Sequence, residues 1–243
     1  MSGGAAAMAE NLARIRERVA RAAARAGRSA EEITIVAVSK THPAEAIRAA
    51  YEAGVRHFGE NRVQEWESKR PLLEGFYNAT WHLIGHLQSN KAARAAVLFH
   101  AIDSVDSVGL AGRLEKAAAE AAHRGARRLR VLMEVKLDPE PAKSGVGERE
   151  LPQLARAILQ MPHLELRGLM GIPPFFDDAA RVRPYFRRLR ELRDALRGQF
   201  GGDAFSVLSM GMSHDFETAI EEGATEIRVG TALFGERGAA LLR

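Results

Sequence analysis

One lysine, Lys40, closes an apolar and β-branched run formed by Ile33, Thr34, Ile35, Val36, Ala37 and Val38, with Pro43 three residues further on. The run reads as a strand buried on both faces. Pro43 fits the first turn of a following helix, with Thr41 or His42 near its cap. A lysine at the carboxyl end of a buried strand stands where parallel α/β folds gather their chemistry. It can bend out to water and do nothing. Partly removed from water, its pKa falls and the amine becomes a nucleophile.

Two further groups supply chemistry. SMGMSHD, containing Ser209, Gly211 and Ser213, is a small glycine-bearing turn that opens a helix, and backbone N–H groups in such a turn bind anions. In EIRVGTALFG, Gly230 next to Thr231 lets backbone approach a ligand closely, and Arg228, two residues earlier, shares a strand face with Gly230. A lysine beside a phosphate site has two readings. It pairs electrostatically with the phosphate, or it forms a Schiff base with a phosphorylated aldehyde, pyridoxal 5′-phosphate (PLP). In the second case Arg228 could meet the pyridine nitrogen, discourage its protonation and weaken the ring as an electron sink.

These groups need elements to carry them. Strand patterns fall at 33–40, 55–59, 81–85, 100–105, 129–137, 164–172, 205–211 and 226–235, and each but the last is followed by a helical pattern. Such alternation argues a parallel sheet. Eight repeats argue a closed (β/α)8 TIM barrel of class α/β, a single domain with an extra N-terminal helix over residues 7–26; an open doubly wound sheet is the alternative. Residues 1–7 read as a disordered lead and 8–243 as the barrel. In a closed barrel strand eight lies beside strand one, so the loops after strands seven and eight come next to Lys40. Asn61 after strand two, His86 after strand three and Lys143 to Gly145 after strand five fall on the same face.

Other signals are weak. There is no GxGxxG fingerprint and no GxxxxGK[ST] loop. GMSHD puts Ser213, His214 and Asp215 together, but a nucleophile elbow needs a second glycine where Asp215 stands, and a helix cap is the simpler role. The eight histidines include no HExxH, which argues against a metal site. Lys91 and Lys143 read as surface lysines.

Composition bounds the rest. With 46% hydrophobic and 27% charged residues over 243 positions the chain is an ordinary globular protein, long enough for a sizeable core. No cysteine is present, which excludes disulfides, thiolate metal sites and a cysteine nucleophile and suits a reducing cytoplasm. No apolar run approaches membrane-spanning length. Glu10 and Glu17 interrupt the Ala- and Arg-rich start, unlike a transit peptide. The net charge of +4 raises a polyanion partner. Most arginines, however, lie on helices that also carry acids, as in Arg187 with Glu191 and Arg190 with Asp194, and only HRGARRLR at 123–130 is basic throughout.

Seven strings in one order, AVSKTHP, HFGENRVQE, WHLIGHLQSNK, AKSGVG, GLMGIPP, LSMGMSHDFETAIEEG and EIRVGTALFG, resemble the YggS/PROSC family of PLP homeostasis proteins. The likeness covers nearly all of residues 33–235. It implies a PLP-binding barrel similar to the N-terminal domain of alanine racemase, with PLP held by Lys40 as an internal aldimine. It also implies Asn61 near the ring, Arg228 facing the pyridine nitrogen, and phosphate held around Ser209, Gly211 and Ser213 and by Gly230 and Thr231.

A racemase on this scaffold needs two opposed acid/base groups. The fold type takes the second, a tyrosine, from an added C-terminal domain, and after strand eight this sequence continues only as ERGAALLR. Tyr51, Tyr77 and Tyr185 all read as lying away from the site face. The leading expectation is therefore a cytoplasmic, monomeric PLP carrier with little or no catalysis, serving PLP homeostasis and delivery to PLP-dependent apo-enzymes. A weak amino-acid racemase ranks second and a polyanion binder far below; nucleic acid and membrane are not expected partners.

Overall fold

Every second residue of a strand faces the same way, so a strand buried on both faces needs two different environments. The computed structural model, which describes residues 3–122, 127–138, 140, 143–201 and 203–235, supplies them by closing the sheet on itself. Strands β1 (Thr34–Val38), β2 (His57–Glu60), β3 (Thr80–Leu83), β4 (Ala101–Val105), β5 (Leu129–Val135), β6 (Leu164–Gly171), β7 (Val207–Ser209) and β8 (Glu226–Val229) pair in sequence order, all parallel. β8 returns to β1 with Val36 opposite Arg228 and Ala37 opposite Val229. The fold is the expected single-domain (β/α)8 barrel.

The outer face of the sheet is apolar and packs on the connecting helices, α2 (Ala44–Glu52), α3 (Val63–Lys69), α4 (Ala92–Leu98), α5 (Val108–Ala122), α6 (Leu151–Leu159), α7 (Arg183–Phe200) and α8 (Phe216–Glu221). Phe58 of β2 and Trp81 of β3 stack at 4.9 Å, and Trp66 of α3 lies on Trp81 at 3.7 Å. Trp66 Nε1 donates to Leu98 O at 2.9 Å, which satisfies the indole N–H of the more buried ring.

The first helix, α1 (Gly3–Arg25), buries Met8, Leu12, Ile15, Val19 and Ala22, a 4-3-4-3 spacing that makes one stripe. It packs on α8, α2 and the four-residue α9 (Thr231–Phe234), filling the slot between α8 and α2 that a full helix after β8 would occupy. Arg18 donates twice to Glu217 and lies over the Phe216 ring, and Asn11 Nδ2 donates to Leu233 O, so α1 is tied to the elements around β8. Residues 3–7, expected as part of a disordered lead, form the start of this helix; residues 1 and 2 lie outside the described residues.

Three expectations are corrected. Strand eight ends at Val229, because Gly230, with ψ −83°, turns the chain into α9. Strand seven is shortened to Val207–Ser209, ended by Gly211 in the left-handed region. Arg187 and Arg190 pair off their own helix: with Arg183 they converge on Glu222, a nearly buried carboxylate after α8, while Glu191 and Asp194 are taken by Arg188 and Arg193. The basic stretch at 123–130 is described only from Arg127, and ERGAALLR lies outside the described residues.

Candidate functional site

Lys40 follows β1 in a turn and is half-buried. The β1–β2 register ends with Val38 opposite Gly59, and Lys40 and Asn61 each lie two residues past that pair. On the other side, a Cβ built on Gly230 would stand 3.6 Å from Val38 Cβ, so β8 delivers Gly230 and Thr231 to the same part of the rim. Gly85 at the end of β3 is pressed on Asn61: a side chain there would begin 2.4 Å from the Asn61 carbonyl oxygen. The sequence singled out Lys40, Asn61, Gly230 and Thr231 separately, and barrel closure gathers them.

The turn after β7 meets the turn after β8. Gly211 has φ 92°, and a Cβ there would lie 2.5 Å from Ala219 Cβ, so both its backbone and its space demand glycine. Asp215 is the N-cap residue of α8, and its carboxylate accepts from Met212 N at 2.6 Å, which folds the turn back on itself. Ser213 Oγ accepts from the backbone N–H groups of Gly230, at 3.2 Å, and Ala232, at 3.3 Å. The two turns are thus stitched together, with two amides of the turn after β8 converging on one hydroxyl oxygen of the turn after β7. Thr231, in the first turn of α9, is exposed beside it. Phe175 and His214, ring centres 4.9 Å apart, stand near this turn.

Ser209 sits deeper than expected. It is fully buried in β7, and its hydroxyl accepts from Arg228 Nη1 at 2.6 Å. As the last residue of β7 it helps to orient Arg228. Arg228 Nη2 donates to Gly171 O at 2.9 Å, so two fixed acceptors on β6 and β7 aim the guanidinium across the barrel. Burial pulls its pKa down, and the carboxylates of Glu226, Asp103, Asp215 and Glu134 oppose that.

All of those acids but Asp215, the α8 cap, belong to a polar lumen that the sequence reading missed. His82 Nδ1 lies 2.9 Å from Asp103 Oδ2, and His82 Nε2 lies 3.0 Å from His57 Nδ1. Burial alone would depress the His82 pKa, but the Asp103 carboxylate, by charge and by hydrogen bond, carries it up to about 9. His57 goes the other way, down to about 4, through burial and then the charge on His82. The two shifts define one arrangement: imidazolium His82 donates to Asp103 and to the lone pair of neutral His57. Burial, then the nearby Asp103 charge, raises the Glu226 pKa. Burial also raises that of Glu134, whose Oε1 accepts from Ser144 Oγ at 2.8 Å while Oε2 is buried without a partner.

His82, Asp103 and Glu226 are close enough to surround a cation. Both His82 ring nitrogens are already engaged, however, and an imidazolium has no lone pair to give a metal. Charged residues inside strand runs, Asp103 in AIDSV, Glu134 in LRVLMEV and Glu226 with Arg228 in EIRV, were the available signal for this lumen. His86, on the rim, is exposed and lies 3.4 Å from Asp106.

A parallel eight-stranded barrel with a lysine after its first strand and a glycine-bearing turn between its last two defines a class of site, and the comparisons agree with it. The model of the alanine racemase N-terminal domain family matches residues 10–238. The pyridoxal phosphate homeostasis protein of Aquifex aeolicus is 44% identical over 228 residues, 94% of this chain and 97% of the relative. That of Pseudomonas aeruginosa is 45% identical over 230 residues, 95% and 96% of the two chains. The structure of PipY from Synechococcus elongatus solved with PLP bound is 43% identical and superposes with a TM-score of 0.80, covering 94% of this chain and all of PipY. Alanine racemase from Corynebacterium glutamicum, 18% identical, superposes at 0.72 over 98% of this chain and 64% of its own, a likeness of fold. The chain belongs to the pyridoxal phosphate homeostasis protein family, within the fold group of the alanine racemase N-terminal domain.

Proposed function

We propose that this protein binds PLP through Lys40 at the barrel mouth and holds it for delivery to PLP-dependent apo-enzymes, with little or no turnover of its own. The observation that carries the reading is the β8–β1 pairing, which sets Gly230 and Thr231 beside the strand that ends in Lys40 and joins them to the Ser213 turn. When bound, PLP supplies an aldehyde that a lysine amine can capture with loss of one water, and a ring that can accept electrons.

The donor set fits that group. Lys40 provides the amine. The amides around Ser213, Gly230 and Ala232 suit a phosphate, and Gly211 leaves no room for a side chain that would displace the turn. Arg228 is held by Ser209 and Gly171, so it faces the lumen as a fixed cation that disfavours a protonated pyridine nitrogen. Asn61, two residues past the β2 partner of Val38, would contact the ring side.

The non-catalytic part of the reading rests on the tyrosines. Tyr51 stacks on Phe76, Tyr77 is 92% exposed, and Tyr185 sits against Phe176 at the start of α7. Two of the three are thus packed on phenylalanines and the third points to solvent, which supports a site without a tyrosine facing Lys40. Supporting the carrier role further, relatives over 40% identical across almost their whole length are named for PLP homeostasis. A cytoplasmic location goes with this role. Among the described residues no helix is long and apolar enough to cross a membrane.

The test is spectroscopic. PLP added to the purified protein should give a visible absorbance band, and borohydride reduction followed by peptide mapping should place the label on Lys40. Lys40→Ala should lose the band and keep its melting temperature. Labelling spread over several lysines, or Lys40-dependent α-deuterium loss from an amino acid at enzyme-like rates, would overturn it.

A further inference from the structure

The turn that carries Lys40 is held from both sides by groups the proposed function does not use. Before it, Ser39 is fully buried: its N–H donates to Gly59 O at 2.9 Å, and its hydroxyl donates to Glu60 Oε1 at 2.7 Å. Its carbonyl accepts from Lys69 Nζ at 3.0 Å. After it, Thr41 has φ 64°, the one positive φ at a non-glycine among the described residues, and its N–H donates to Glu65 Oε1. Lys69 Nζ also donates to Glu65 Oε1, at 2.6 Å, and to Glu60 Oε1, at 3.1 Å.

A single ammonium therefore connects the backbone on both sides of Lys40. Glu60 ends β2, and Glu65 and Lys69 are i and i+4 on α3, so all three come from the unit next to β1. The Lys69 side chain is 12% exposed and that of Glu60 is 0% exposed, which makes this an interior network and not a surface ion pair. A β-branched residue in the left-handed region is a conformational outlier, and it persists only where its surroundings hold it. Held there, the kink at Thr41 turns the chain sharply and fixes the direction in which the preceding residue leaves β1.

We propose that Lys69, with Glu60 and Glu65, is a positioning clamp for Lys40, keeping Thr41 in its left-handed kink so that the Lys40 amine is presented to the barrel mouth. The inference rests on the role proposed for Lys40, and it is testable apart from that role.

Two readouts separate them in the full-length protein. The first is hydrogen exchange of the segment around residues 39–42. The second is the rate at which added PLP, trapped by borohydride, labels Lys40. Lys69→Met should speed exchange in the segment and slow labelling, each by about tenfold, from the loss of the one bond Lys69 makes directly to the segment's backbone, at Ser39 O. Because Lys69→Met leaves Glu60 buried without its cation, Glu65→Gln is the second variant: it keeps the Lys69–Glu60 pair, and it should slow labelling by about threefold as a charge-assisted bond becomes a neutral one. Adding Thr41→Gly, which adopts the same φ without strain, should restore the labelling rate of either variant to near that of the parent. Exchange unchanged in Lys69→Met, or a labelling loss that Thr41→Gly does not rescue, would overturn the clamp. If the parent itself takes no label on Lys40, the PLP reading fails, and the exchange data still decide the clamp.

Discussion

The two faces of the same eight strands are built on opposite terms. Outside, Phe58, Trp81, Ile102, Val131, Met133, Leu208 and Ile227 meet the helices in a continuous apolar shell. Inside, residues one position away carry His57, His82, Asp103, Glu134, Ser209, Glu226 and Arg228, and most of these are buried. The outer face gains stability from area removed from water and is indifferent to pH. The inner face spends part of that gain on desolvating charges, and what it obtains is orientation: a guanidinium pinned by Ser209 and Gly171 under the mouth that Lys40 borders. The lesson is that stability and ligand chemistry are separated here by strand alternation, not by distance.

The largest expected break falls on the outer face. Trp81→Ala removes a ring stacked on both Phe58 and Trp66 and should lower unfolding stability by about 3–5 kcal/mol, read from denaturant midpoints at constant slope. The variant should still take up PLP in full stoichiometry while it remains folded. If uptake fails at temperatures well below its transition, the two faces are not independent.

The inner face should reveal itself through pH. His82, raised to about 9 from an ordinary value near 6.5, stabilises the fold fully below pH 6.5, and that contribution is lost as pH rises through 9. His57, lowered to about 4, stabilises the fold above pH 6.5, and that contribution is lost as pH falls towards 4. Stability should therefore peak near pH 6.5, with limbs of the order of a few kcal/mol on either side. His82→Gln should flatten the alkaline limb and also lift the His57 pKa, since one of the causes depressing it is removed. Melting curves from pH 4 to 10 check both, and an alkaline limb unchanged in His82→Gln would remove His82 from the account.

The smallest effect is expected at Glu226→Gln. Its carboxyl is already pushed towards the neutral form by burial and by Asp103, so an amide of the same shape should change stability by less than about 1 kcal/mol at pH 7. A loss several times larger would mean that Glu226 is ionised against Arg228 and His82, and the lumen would then balance two full negative charges.

Much of this was legible before any coordinates. All eight strands and the barrel class followed from the alternation of apolar runs with helical patterns. Lys40, Asn61, Gly230 and Thr231 could be placed on one rim because barrel closure puts strand eight beside strand one. The interior was harder to read. Alternation says that Asp103 shares a face with its neighbours at i±2, but not that it meets His82 on the adjoining strand. The bond from Arg228 to Ser209 was out of reach for a related reason: where a three-residue strand ends decides whether its last side chain points into the turn or down the barrel. The Thr41 kink left no trace at all, since threonine is a poor choice for a positive φ and only its neighbours make it tenable.

The sequence by itself determined the class of fold, the rim position of Lys40 and the glycine-bearing turns that suit a phosphate. These depend on local periodicity and on chain order, which are properties of the string. The tertiary structure alone decided which charges neutralise one another in the lumen, which acceptors aim Arg228, and how Lys69 reaches both sides of Lys40. The hydrogen-bond partners of His82 and Arg228 stand 19 to 57 residues away, from Ser209 with Arg228 to Gly171 with Arg228, and it is the pairing and closing of the strands that bring them together.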